Sequence, residues 1–420
     1  MSTVLFKDAK IINEGPHKGT NQDVLVEDGR IIKIDQSISI DADVIISSDQ
    51  LHLSGGWCDI GCYNGEPGFE YREDLGSLRR AASHGGYTHI APLPTSFPPL
   101  QSSSQIDFLK RLNESSSVTI LPIAALSQEL KGISQNDLLD LSHSGAVAFS
   151  DIHLGTEGSG FLSRSLEYIR ETGRPIIEAI YHPHHSDHGV VNEGAVSVSL
   201  GLPGIPAADE MQQVHRLIEQ AVYSNGNLII HQVSLATAVE LISEVKGTCP
   251  IDATVSAMNL LHSDEVLSTW DASYKVLPPL RSEQNRITLC DYLNKGLISV
   301  ITSNHMPLSK EEKDEPFGQS AFGASMLDLV FSVLNTHGQN LDHSQVIYGL
   351  SDGPYKTLGL SAPIIQEGEV ANLTAYDPSL PAVCDTDFIQ SKNHNTPYLN
   401  TTLRGIVLAT FNSNILVQNT

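Results

Sequence analysis

The densest set of metal-capable side chains in this sequence is Tyr181-His182-Pro183-His184-His185-Ser186-Asp187-His188, four histidines and an aspartate within eight residues. Imidazole and carboxylate are the groups that hold zinc, so this stretch could build a metal site with Asp151, His153 or Glu178 if the loops fold inward. The plainer reading is a solvated loop, because Pro183 interrupts regular structure and clustered loop histidines need not converge on one point. Cys62 is a nucleophile by type, but nothing in the sequence identifies a base for it. The run Lys310-Glu311-Glu312-Lys313-Asp314-Glu315 reads most simply as a solvated loop.

Such groups act only where backbone elements place them. Eight short apolar runs begin near Trp57, Tyr87, Val118, Ala146, Pro175, Leu228, Ile251 and Leu297, several of them separated by helical stripes, and eight is the strand number of an α/β barrel. The clearest stripe carries Met211, Val214, Leu217, Ile218, Ala221 and Val222, and it stops at Asn225-Gly226 before the strand Leu228-Ile229-Ile230. A second carries Leu75, Leu78, Ala81 and Ala82 and ends at Gly85-Gly86, residues suited to a left-handed cap. Near the N-terminus, Val24-Leu25-Val26, the turn Glu27-Asp28-Gly29 and Arg30 to Ile34 read as a β-hairpin. The same texture returns in Ala371 to Tyr376 and Arg404 to Ala409. The expected fold is a (β/α)8 TIM-type barrel over 56–359, with residues 1–55 and 360–420 joined in one small β-sandwich domain. In such barrels the functional groups come from the C-terminal ends of the strands.

The 420 residues suffice for a large barrel with an added domain. Against 25 Lys+Arg stand 49 Asp+Glu, a net charge of −24 that argues against nucleic acid or an anionic membrane as partner. The five cysteines form no CxxC pair and their odd number fits no simple disulfide framework, which points to a reducing cytoplasm. The opening MSTVLFKDAK has no leader-like character, and no apolar stretch approaches the ~20 residues that cross a bilayer.

Several segments carry a family resemblance. Asp59-Ile60-Gly61-Cys62-Tyr63-Asn64-Gly65-Glu66-Pro67-Gly68-Phe69-Glu70-Tyr71, Gly145 to Asp151, Asn192-Glu193-Gly194, Leu200 to Pro206, Lys275-Val276-Leu277-Pro278-Pro279-Leu280-Arg281 and Glu311-Glu312-Lys313 resemble dihydroorotase of the amidohydrolase superfamily. The resemblance runs nearly the whole length of the chain, in order. It implies kinship with enzymes that interconvert carbamoyl aspartate and dihydroorotate through a metal-activated water at the barrel mouth.

The resemblance also implies where the ligands should stand, and there the chain departs from the pattern. The HxHxR after the first strand falls on Gly61, Tyr63 and Gly65. Glycine has no donor atom, and a tyrosine with an ordinary pKa near ~10 is a poor neutral ligand. Asp151 keeps the aspartate after the fourth strand. The fifth-strand histidine falls on Ala179, with Glu178 beside it, inward-facing only after a one-residue slip. The sixth-strand histidine falls on Gln232, and strand alternation would turn the adjacent His231 to the other face. The aspartate that serves as ligand and general base falls on Asn304, followed by His305. An amide cannot accept that proton, and losing a general base typically costs ~10²–10⁴ in rate. Substrate contacts fall on Thr95, within Leu93-Pro94-Thr95-Ser96, and on Leu277. The seventh-strand segment reads Ala257-Met258-Asn259-Leu260, polar to apolar at the mouth.

Framework residues thus persist while five of six metal positions lose their donors. The expected cavity is lined by Gly61, Tyr63, Gly65, Thr95, Asp151, Ala179, Gln232, Leu277, Asn304 and His305, with no metal or other cofactor. The resemblance implies an inactive homologue that acts through protein contacts, with aspartate carbamoyltransferase as the partner and a homodimer as the assembly. Two alternatives stand beside it. One is a working cyclic-amide hydrolase with zinc on Asp151, Glu178, His182, His184, His185 and His188. The other is a small-molecule binding protein that keeps Tyr63, Gln232 and Asn304 as polar lining.

Overall fold

The computed structural model of the protein describes residues 3–151, 159–180 and 188–419. Eight strands run where the apolar runs lie: β1 (Trp57–Ile60), β2 (Tyr87–Ala91), β3 (Thr119–Ile120 continuing as Ile123–Ala125), β4 (Ala148–Ser150), β5 (Ile176–Ala179), β6 (Leu228–His231), β7 (Ile251–Ser256) and β8 (Val300–Thr302). Neighbours pair in parallel in that order. The break in β3 falls at Leu121-Pro122, where proline has no N–H to give the ladder. From β8 back to β1 the ring closes through side chains and loops: the Asp59 carboxylate accepts from Ser303 N and Oγ, both at 2.7 Å, and Tyr63 N–H donates to His305 O at 2.9 Å.

Strand alternation splits the apolar residues into two sets. Cys58, Ile60, Ala91, Ile123, Ala148, Ile177, Ile229 and Val300 face inward and pack with Tyr355 and Leu358, which close the barrel floor. Trp57, Tyr87, Ile90, Ile120, Phe149, Ile176, Leu228 and Ile230 face the surrounding helices. Helix α1 (Leu75–His84) starts at Asp74, whose side chain accepts from Ser77 N, and buries Leu75, Leu78, Ala81 and Ala82. Of the two glycines after it, Gly85 is right-handed and only Gly86 takes positive φ, +95°; a Cβ on Gly86 would meet the Trp57 ring at 2.5 Å. Helix α2 (Ala207–Ser224) buries Val214, Leu217, Ile218 and Ala221 and ends at Asn225, left-handed at φ 50°. Val222, expected on the buried stripe, is exposed because it lies one position past the face that ends at Ala221.

Both ends of the chain enter one eight-stranded sheet, in which Leu373–Cys384 lies antiparallel to His52–Gly55 and links the C-terminal strands to Thr3–Ile11. Phe6, Val24, Leu53, Leu373 and Phe411 form its core. The architecture is a (β/α)8 barrel with a small β-sandwich. Among the described residues no helix is long and apolar enough to cross a membrane.

Buried polar groups bolt the loops above the barrel. Arg281 donates from Nε to Ser234 Oγ at 2.9 Å, from Nη1 to Asn192 Oδ1 at 2.9 Å and to Ile205 O at 3.1 Å, and from Nη2 to Glu210 Oε2 at 3.1 Å. Asn192 in turn donates to Asp264 at 2.7 Å. Three motif segments that carry the resemblance therefore meet on one buried ion pair. A second set corrects the reading of Lys310 to Glu315 as solvated at Glu312 and Lys313, while the other four residues of the run are exposed. Lys313 is buried and its Nζ donates to the carbonyls of Ala272, Lys275 and Ala321, while Lys275 Nζ donates to those of Phe317, Gly318 and Ser320. Glu312 pairs with Arg72, whose guanidinium lies 5.7 Å from the centre of the Tyr63 ring. Carbonyls that turn inward need donors, and these ammonium groups supply them.

Candidate functional site

The C-terminal ends of the strands surround a cavity of about 210 Å³. Of the ten positions inferred from the sequence, Gly61, Tyr63, Thr95, Ala179, Gln232, Leu277, Asn304 and His305 line it together, joined by Leu93, Ile180, His231, Pro278, Met306, Phe322 and Gly323. Gly65 and Asp151 do not. At Gly65 a Cβ would lie 2.4 Å from Glu73 O and 2.5 Å from Phe69 O, so the backbone is packed shut where an arginine was inferred. Met258, in the seventh-strand segment, is buried in the helical layer away from the cavity.

His231 overturns one expectation. In register, Ala179 pairs with His231 and Ile177 with Ile229, so His231 shares the inward face, and its ring sits where a side chain on Gly61 would be. A Cβ at Gly61, itself at φ +92°, would meet the His231 ring at 2.3–2.4 Å. The next residue escapes the two-residue period because Gln232 takes φ +59°, which turns it back to the cavity. Its N–H donates to Thr254 Oγ1 at 2.8 Å and its Nε2 to Thr302 Oγ1 at 3.4 Å. The missing side chain at Gly61 was visible in the sequence. The neighbour that fills its space was not, since the positive φ hides behind an ordinary glutamine.

The retained aspartate has turned to structural work. Asp151 Oδ1 accepts from Leu126 N and Ser127 N, each at 3.0 Å. Glu178 does not slip inward: its strand neighbours Ile177 and Ala179 hold the inner face, leaving it among the outer groups beside Arg216 of α2. Burial pushes its carboxyl up to about 8, with Arg216 opposing and the Asp151 charge adding to the rise. Asp151 Oδ2 and Glu178 Oε1 are buried without a hydrogen-bond partner among the described residues. His188 is exposed, whereas His153, His182, His184 and His185 lie outside the described residues. Among the described residues no three His, Cys, Asp or Glu side chains gather to hold a metal ion, and the inferred ligand positions do not fit one.

The remaining ionisable groups are committed to partners. His305 Nδ1 accepts from Met326 N and Leu327 N at 3.1 and 3.2 Å, and its Nε2 lies 3.4 Å from Glu73 Oε2. Burial works against the Glu73 charge, but the adjacent His305 ring and the Ser391 hydroxyl outweigh it and hold the carboxyl below its usual range. Glu73 also accepts from Ser391 Oγ at 2.5 Å, which ties the C-terminal segment to the barrel. Asn304 donates from Nδ2 to Leu277 O at 3.1 Å. Cys62 is fully buried, and burial pushes its thiol well above the usual range, which disfavours the thiolate a nucleophile needs.

Comparison with known proteins places this geometry. The family model described as dihydro-orotase-like matches residues 55–225. A dihydroorotase from Thermoanaerobacter sp. (strain X514) is 31% identical over 409 residues, spanning 96% of this chain and 94% of that protein. One from Pelotomaculum thermopropionicum is 32% identical over 413 residues, spanning 97% and 96%. Among solved structures, the L-hydantoinase from Arthrobacter aurescens superposes with a TM-score of 0.85 at 19% identity, covering 100% of this chain and 96% of that one.

Proposed function

The chain belongs to the dihydroorotase-like amidohydrolases, and within that family we propose that it is a catalytically silent member acting by contact with another protein. One observation carries the reading: the position of the first metal ligand is Gly61, and the His231 ring already occupies the space that ligand would need. The donor set agrees. Tyr63, Ala179, Gln232 and Asn304 offer no histidine or carboxylate where the resemblance puts one, and Asn304 cannot take the proton that a general base must accept. Meanwhile the Arg281 and Lys313 networks keep the barrel rim ordered, which is what a binding surface requires.

The partner in this reading is aspartate carbamoyltransferase, and the assembly is built on a homodimer in the cytoplasm. Five buried cysteines without a disulfide suit a reducing compartment. The test is elemental analysis of full-length protein purified without chelator, joined to co-purification with the transferase of the same organism. The reading expects metal far below one equivalent and a stoichiometric complex. Stoichiometric zinc would overturn the silent site and turn attention to residues 181–188; failure to co-purify would overturn this partner.

A further inference from the structure

We propose that the protein binds a small, uncharged, apolar ring molecule of bicyclic size in a second cavity, set in the helical layer beneath the helix Ser103–Asn113. This cavity holds about 310 Å³ and is walled by Leu75, Leu93, Leu100, Leu109, Ile120 and Ile123. Leu75 and Ile120 belong to the core between barrel and helices, and Leu100 and Leu109 pack against it, so the site lies apart from the strand-end cavity. Leu93 is a wall of both. Phe108 also stands in the lining and is 52% exposed, which gives the cavity a way out to solvent.

Protein interiors pack nearly without voids, and here the surroundings prevent collapse. The helix above is tied at both ends. At its start Gln105 Oε1 accepts from Gln101 N and Ser102 N at 2.9 and 3.0 Å, and Nε2 donates to Pro99 O at 3.1 Å. At its end Asn113 exchanges two bonds of 2.9 Å with the Ile120 backbone and accepts from Arg79 Nη2 at 2.9 Å. Between these ties Ile106 is the one fully buried residue of the helix. Pro67, Pro92, Pro94 and Pro122, each with a fixed φ, stiffen the opposite side. The result is a roofed space roughly twice the ~150 Å³ of an apolar cavity that takes benzene.

The lining sets the ligand class. Its polar side chains are turned back onto the protein's own backbone: Asn64 Oδ1 accepts from Glu66 N at 3.1 Å and Nδ2 donates to Glu66 O at 2.7 Å, Glu66 Oε2 accepts from Leu75 N at 2.8 Å, and Ser96 Oγ donates to Pro98 O at 3.0 Å. Gln105 is engaged by the bonds that tie the helix. Apolar surface is what remains for a ligand, and a flat ring system buries the most of its own surface against it. A ligand carboxylate would leave water for a wall whose charged member among the described residues, Glu66, is itself a carboxylate, and a buried charge without a partner is strongly disfavoured.

The test uses the full chain with indole, an uncharged bicyclic probe, and indole-2-carboxylate, its anionic counterpart. With Leu, Ile and Met methyl groups labelled for NMR, saturating indole is expected to shift Leu100, Leu109 and Ile120 and to leave Met306, at the barrel mouth, in place. Indole-2-carboxylate is expected to bind at least about tenfold more weakly. Leu109→Trp fills the space from the helix above, and it is expected to weaken indole binding about tenfold or more while keeping or raising the melting midpoint. The methyl map needs no variant, so it decides the site even where Leu109→Trp fails to fold. No saturable binding of indole, shifts at Met306 in place of Leu109 and Ile120, equal binding of the two probes, or a folded Leu109→Trp that binds as the parent does would overturn the proposal. None of these outcomes bears on metal content or turnover, the measurements on which the silent-site reading stands.

Discussion

At Gly61 a side chain is excluded twice, by φ +92° and by the His231 ring 2.3–2.4 Å from the place a Cβ would occupy. Restoring a ligand there by one substitution therefore breaks the packing before it builds a site. Gly61→Ala is expected to destabilise the protein by about 2 kcal/mol or more, combining left-handed strain with overpacking. Adding His231→Ala removes only the steric part, so denaturation midpoints of the two single variants and the double variant are expected to show favourable coupling; additive midpoints would contradict the contact. Glu178 gives a second prediction. Its carboxyl titrates near 8 when folded and near the ordinary range of ~4.3 when unfolded, so the unfolded chain releases that proton first. Stability from this group is whole below about pH 4 and is lost as pH rises toward 8. Glu178→Gln keeps the neutral form at every pH, so its advantage over the parent is expected to grow across that window. A constant difference from pH 4 to 8 in urea denaturation would contradict the buried, protonated state.

The loops above the strands depend on elements that no periodicity reveals. Arg281, Glu210 and Asn192 come from three segments far apart in sequence, and removing Arg281 leaves a buried carboxylate without its partner. Arg281→Met is expected to cost about 3–5 kcal/mol in a chemical melt. Lys313→Met removes the donor that three inward carbonyls share, so hydrogen exchange is expected to rise across residues 309–323 and to leave the strands unchanged. Uniform exchange in parent and variant would show that the ammonium does not hold the segment. The strands themselves are legible in the sequence because each is an apolar run bounded by turn residues, and the changed ligand positions are legible because a motif fixes their order. What faces what at the strand ends is not legible. The inward turn of His231 follows from register with Ala179, and the return of Gln232 follows from a φ that only tertiary hydrogen bonds sustain. Lys313 misleads in the same way, since a charged run gives no sign that one of its ammonium groups points inward.

Over the whole molecule, the barrel and sheet keep the family's shape, while Gly61, Tyr63, Ala179, Gln232 and Asn304 stand where the resemblance implies metal ligands. The net charge of −24 shapes the surface that remains for contacts. A partner that engages it presents basic groups, so the association rate is expected to fall as salt is raised from low to physiological strength, measurable by stopped-flow or surface-capture kinetics. A salt-independent rate would place the contact on an uncharged face. The central claim, that the mouth no longer supports hydrolysis, is tested most directly by following dihydroorotate consumption with zinc-supplemented full-length protein. The account predicts a rate equal to the protein-free control; zinc-dependent turnover that a chelator abolishes would contradict it.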